Sequence, residues 1–102
     1  MSGLTKERVI EIANNIVITQ YGSVPFLNNF GCNIIQYVDK LLSNDDIDDL
    51  KIEIQNQFKL WLPNYLQDIQ ISQLNQYFTI IIYLKNIDPI EISSINLYKR
   101  QQ

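Results

Sequence analysis

Nothing in this chain can act as an imidazole base, because its 102 residues include no histidine. The commonest general base and the commonest metal ligand are therefore missing together. Cys32 is the single cysteine. It can form neither a thiolate–imidazole pair nor an intrachain disulfide, in keeping with a reducing compartment, and it reads as a small buried apolar residue. No phosphate-binding glycine loop and no dinucleotide fingerprint is present. A glycosidase needs two acids about 5–10 Å apart in a cleft, one with a raised pKa. The acids here are Glu7, Glu11, Glu53, Glu91 and the aspartates, all in polar contexts or on wet helix faces. The expectation is no catalytic residue and no enzyme. Asp45, Asp46, Asp48 and Asp49 crowd together, but without the alternating ligands, central glycine and terminal glutamate of a calcium loop. Carboxylates are favoured at a helix N-terminus; the competing reading is an acidic patch facing a partner, with salt-sensitive binding. No cofactor and no metal are expected.

The composition sets the class. A hydrophobic fraction of 46% with 19% charged residues belongs to a folded chain, and the length suits one domain, residues 1–102. A formal net charge of −3 argues against a nucleic-acid surface, since only Lys99 and Arg100 make a short basic end. The longest apolar run, 78–84, is far below the roughly 20 residues that span a bilayer. The N-terminal residues lack the layout of a secretory signal, so the protein is expected to be made and folded in the cytoplasm.

The elements that must position any site follow from periodicity. Thr5 can cap a first helix with Glu7 in its first turn; Val9, Ile12, Ala13, Ile16 and Val17 form its apolar stripe, and Gly22 is expected to end it. A second helix is predicted over 33–42, capped by Asn33, with Ile34, Ile35, Val38, Leu41 and Leu42 inward. Ser43 or Asn44 caps a third helix buried through Ile47, Leu50, Ile54, Phe58 and Trp61 and terminated by Pro63. The period then changes from 3.6 to 2. Ile69 and Ile71 alternate with polar residues in a first strand over 66–74, and Asn75-Gln76 reads as a turn. Residues 77–84 are apolar on both faces, as in a central strand: Phe78, Ile80, Ile82 and Leu84 on one, Tyr77, Ile81 and Tyr83 on the other. Asp88-Pro89 is expected to bend the chain into a third strand over 90–98, with a bulge at Ser93-Ser94. The fold class is α+β: three N-terminal helices packed on one face of a C-terminal three-stranded antiparallel sheet. Tyr77 and Tyr83 then occupy the face that the helices leave open, where rings with polar tips suit a protein interface.

One stretch fits neither helix beside it. Between the first two helical patterns run Gly22, Ser23, Pro25, Phe26, Phe30, Gly31 and Cys32. Pro25 blocks helix continuation and holds Val24 extended, Gly31 gives a second bend, and Phe26 and Phe30 are predicted to plug into the domain or into a partner. This motif, with the order of elements from about Thr5 to Tyr98, resembles the baseplate wedge and sheath-initiator family of contractile phage tails. That family has relatives in type VI secretion baseplates, and some relatives carry a lysozyme label.

The resemblance implies a structural baseplate protein with several copies around the tail axis, six in the family arrangement. It would join the baseplate wedge to the first sheath ring in the virion tail, after assembly in the host cytoplasm. The implied partners are the tail sheath protein, the wedge proteins and the central spike or hub proteins, with no nucleic acid and no membrane. The implied mechanism is strand addition, an extended arm of the sheath subunit pairing with an open sheet edge. Ile71 and Ile95 mark the two candidate edges. The family's Glu-Pro-Arg signature falls on Leu62, Pro63 and Asn64, so the proline is kept and both charges are lost; an apolar contact through Trp61 and Leu62 would have to replace them. Two other functions remain open, a type VI secretion component and a small cytoplasmic regulator that binds protein through the same sheet.

Overall fold

A computed structural model describes residues 5–26, 29–38 and 40–94. Two α-helices precede a three-stranded antiparallel sheet, in the order α1 (Lys6–Ile18), a short 3₁₀ turn (Ile34–Tyr37), α2 (Asn44–Trp61), β1 (Leu66–Leu74), β2 (Tyr77–Leu84) and β3 (Ile87–Ser93). The strands lie in sequence order, with β2 central. The expected α+β class holds with two helices in place of three.

α1 starts as its sequence suggests, with the Thr5 hydroxyl accepting from the Arg8 N–H at 3.2 Å. Val9, Ala13, Ile16 and Val17 are buried. The helix ends before Gly22. The last turn closes with the Thr19 N–H on the Asn15 carbonyl, and Thr19 itself is extended, at φ −84° and ψ 129°. Its carbonyl accepts from the Cys32 N–H at 3.0 Å, which draws the chain out of the helix. The run of β-branched residues from Ile16 to Thr19 makes that departure easy. Gly22 does adopt a positive φ of 79°, but inside the following loop.

The predicted second helix is reduced to the 3₁₀ turn, which begins where the Asn33 carbonyl accepts from the Gln36 N–H. The Gln73 side-chain amide takes both backbone groups of Leu42, accepting its N–H at 2.6 Å and donating to its carbonyl at 3.2 Å. The Leu42 N–H is a group that a helix through residue 42 would bond to the carbonyl four residues before it. Leu42 and Tyr37 are buried, whereas Leu41, expected inside, is 73% exposed. The expectation for the Ile35 side chain lies outside the described residues.

α2 opens with a capping box: the Ser43 hydroxyl accepts from the Asp46 N–H at 3.1 Å, and the Asp46 carboxylate accepts from the Ser43 N–H at 3.0 Å. The helix stops at Trp61, and Pro63 follows with Asn64 in the left-handed region at φ 74°. Leu50, Ile54 and Phe58 are fully buried. α2 packs over β1, α1 over β3, and the helices pack on each other.

In the sheet, Ile80 lies between Ile71 and Ile92, and Ile82 between Ile69 and Ile90. Phe78, Ile80, Ile82 and Leu84 face the helices and are buried. The bend expected at Asp88-Pro89 is instead a turn at Lys85-Asn86, where Asn86 adopts φ 62°. Asn tolerates that conformation better than a proline-led pair could supply it. β3 therefore begins at Ile87 and contains Pro89. Register irregularities fall between Leu66 and Asp68 and opposite Ile82 and Leu84; the bulge expected at Ser93-Ser94 is absent as far as Ser93, which pairs with Thr79. The rest of the predicted third strand, including Ile95 and Tyr98, lies outside the described residues.

The Ser43 N–H holds the Asp46 carboxyl below its ordinary value. A depressed carboxyl contributes stability that is complete above that value, 3.8, and is lost as pH falls through the lowered one. Ser43→Ala should cost about 1 kcal/mol in chemical denaturation, and Asp46→Asn should flatten the fall in melting temperature below pH 4.

Candidate docking surface

The described residues of the loop after α1 are tethered to the domain by hydrogen bonds. The Gly22 N–H bonds the Phe30 carbonyl at 3.3 Å, and the Ser23 hydroxyl and N–H both reach the Gln20 carbonyl. Gln20 and Cys32 form a parallel bridge, so the loop returns alongside the end of α1. Gly31 allows this close approach. Its φ is +104°, and a Cβ there would lie 2.4 Å from the Thr19 carbonyl oxygen, a contact no side chain can make without moving backbone.

Three residues of α2, spaced four apart, hold the returning strand of the loop. The Gln57 side-chain oxygen accepts from the Gly31 N–H at 2.8 Å and from the Trp61 indole N–H at 3.1 Å, while its NH₂ donates to the Asn29 carbonyl at 3.0 Å. The Glu53 carboxylate accepts from the Asn33 N–H. Trp61 meets Phe30 edge to face, with ring centroids 5.3 Å apart at 71°. Spacing of i, i+4, i+8 puts Glu53, Gln57 and Trp61 along one side of the helix.

The two phenylalanines therefore part company. Phe30 is half-buried against Trp61, as expected of a plug. Phe26 does not plug into the domain: it is 100% exposed, at φ 68°. Trp61, expected in the core, is half-buried and forms the wall of a groove of about 500 Å³ shared with Arg8, Ile12, Asn15, Thr19, Val24 and Phe30. Arg8 pairs with Glu11 at the rim. In the stretch after α2, Leu62 is buried, which removes it as an apolar contact for a partner, while Pro63 and Asn64 are exposed.

The sheet face opposite the helices carries Asp68, Gln70, Ser72 and Leu74 of β1 beside Tyr83, Ile81, Thr79 and Tyr77 of β2. Tyr77 is exposed, Tyr83 half-buried with its hydroxyl donating to Gln70 at 3.2 Å, and Leu74 is 76% exposed. The helices and loops described here lie on the other side. Ile71 faces that other side and is half-buried, and Ile95 lies outside the described residues.

Apart from the aspartates of the first turns of α2, the acids lie apart. Glu7, Glu11 and Glu91 are exposed, Glu53 is committed to the loop, and no group of three potential metal ligands occurs among the described residues. Cys32 is buried, and its thiol pKa is pushed far up by burial and then by the nearby Glu53 carboxylate. Sequence reasoning missed Gln57, yet a signal was present: a polar residue stands on the apolar stripe of α2, three after Ile54 and four before Trp61.

No protein-family profile matches the chain. Its fold is shared with a putative tail lysozyme of known structure from Geobacter sulfurreducens, with a TM-score of 0.66, 91% of each chain covered and 20% identity. A segment of 83 residues is 32% identical to probable polyketide synthase 28 of Dictyostelium discoideum. That match covers 79% of this chain but spans 3% of the synthase.

Gln57→Leu should destabilise the domain by about 1–3 kcal/mol, because the Gly31 and Trp61 N–H groups lose their acceptor; urea denaturation measures it. Cys32 should resist a thiol reagent such as iodoacetamide in the native protein and react fully in denaturant, as mass spectrometry would show.

Proposed function

We propose that this protein is a non-enzymatic baseplate component of a contractile tail, joining the wedge to the first sheath ring and templating sheath assembly by strand addition. The observation that carries the reading is the fold shared with a putative tail lysozyme, in a chain whose Gly22–Cys32 stretch resembles a motif of the sheath-initiator family. The physical case is compatible with it. A one-sided sheet ends in strands whose outer borders can accept a further strand. The tethered loop and the groove beside Trp61 supply a second surface for the wedge, with Pro63 and Asn64 next to it. Scattered, exposed or structurally committed carboxylates are a poor basis for the paired-acid hydrolysis that the word lysozyme names.

Co-expression with the tail sheath protein of the same genome, followed by electron microscopy, tests the proposal. Ordered sheath polymers nucleated only when this protein is present are expected. Sheath that assembles equally well without it, or loss of turbidity when the purified protein is added to peptidoglycan, would overturn the reading.

A further inference from the structure

We infer that the arm-accepting border of the sheet is β1, through the window of residues 70–74, and that the incoming strand alternates apolar and polar residues. This rests on the strand-addition reading and decides between the two borders that reading leaves open.

The β1–β2 turn has two residues, Asn75-Gln76, of which only Asn75 has a positive φ, 57°. In a two-residue hairpin the flanking residues, Leu74 and Tyr77, exchange both backbone bonds. Alternation then directs the N–H and C=O groups of Ser72 and Gln70 toward β2, and those of Ile69, Ile71 and Gln73 toward the outer border. An independent contact agrees. Phe78, paired with Gln73, must point its N–H away from β1, and that N–H donates to the Ser94 hydroxyl at 2.9 Å on the β3 side.

Carried across, the same alternation aims Ile80 and Ile82 at Ile92 and Ile90. The outer border of β3 is then presented by Pro89, Glu91 and Ser93. Pro89 has no N–H to give, and the register is irregular beside it. Proline and irregular pairing are how natural sheets blunt an edge. β1 has nine residues with no proline, glycine or lysine. Its start is closed: Ile69 is 0% exposed, so its outward groups are enclosed. Ile71 and Gln73 are half-buried.

The chemistry of the incoming strand follows from its neighbours. On the helix side it meets Ile71 and comes near Leu41, which is 73% exposed beside the Leu42 backbone that Gln73 holds. Alternate residues there should be apolar. On the other side it lies along Gln70 and Ser72, both exposed, and should be polar.

Ile71→Pro removes one outward N–H and leaves the β1–β2 ladder intact, and Glu91→Pro does the same on β3. Each is co-expressed with the tail sheath protein and its recruitment measured. Ile71→Pro should weaken recruitment about tenfold, the equivalent of one ladder bond, and Glu91→Pro should not. Loss with Glu91→Pro alone overturns the border assignment and leaves strand addition standing. Full recruitment by both variants overturns strand addition. Absence of any complex with the unaltered protein overturns the proposed function itself. Should Ile71→Pro fail to fold, amide hydrogen exchange of the unaltered protein decides: new protection at Ile71 and Gln73 in the complex supports β1, and protection at Glu91 instead refutes it.

Discussion

Gln57 sits on the buried side of α2, and its amide meets three groups that have no partner in regular structure: the Gly31 N–H, the Asn29 carbonyl and the Trp61 indole. A connection from α1 to α2 that crosses the domain surface must satisfy its backbone somewhere. Here it does so against a side chain of the next helix. Once that clamp closes, Gly31 is pressed on the Thr19 carbonyl, Phe30 is set against Trp61, and Phe26 is left facing solvent. The groove along α1 is shaped by the same contacts.

The pattern recurs wherever an element stops. Ser43 and Asp46 satisfy the start of α2, the Gln73 amide takes the place of a strand beside Leu42, and the Ser94 hydroxyl continues the ladder at Phe78. Each is a polar side chain standing in for a backbone partner. They let a small domain end its regular structure abruptly and keep its apolar residues for one core, bounded by the two helices and one face of the sheet.

Among the described residues, the helices cover one face of the sheet. The face with Tyr77, Ile81 and Tyr83 is lined by β1 residues that are mostly polar, while the borders differ from each other: β3 contains Pro89, and β1 runs in regular register and without proline from Asp68 to Leu74. The asymmetry gives the two edges unequal capacity to accept another chain.

Periodicity alone determined the two capped α-helices, the first two strands, the turn at Asn75-Gln76 and the two faces of β2, because each is a local pattern of burial repeated over many residues. Residue type, a lone cysteine in a chain with no histidine, placed Cys32 inside. Tertiary contacts decided the rest. The predicted helix over 33–42 had the right apolar spacing, but Gln73, 31 residues away from Leu42, captured the Leu42 N–H that it needed. Phe26 and Phe30 are the same residue type four positions apart, and only the position of Trp61 separates the one that packs from the one that does not. Which way each edge points its N–H groups depends on the turn geometry and on Ser94. Those outcomes rest on hydrogen bonds between distant residues, whose free energy no local pattern encodes.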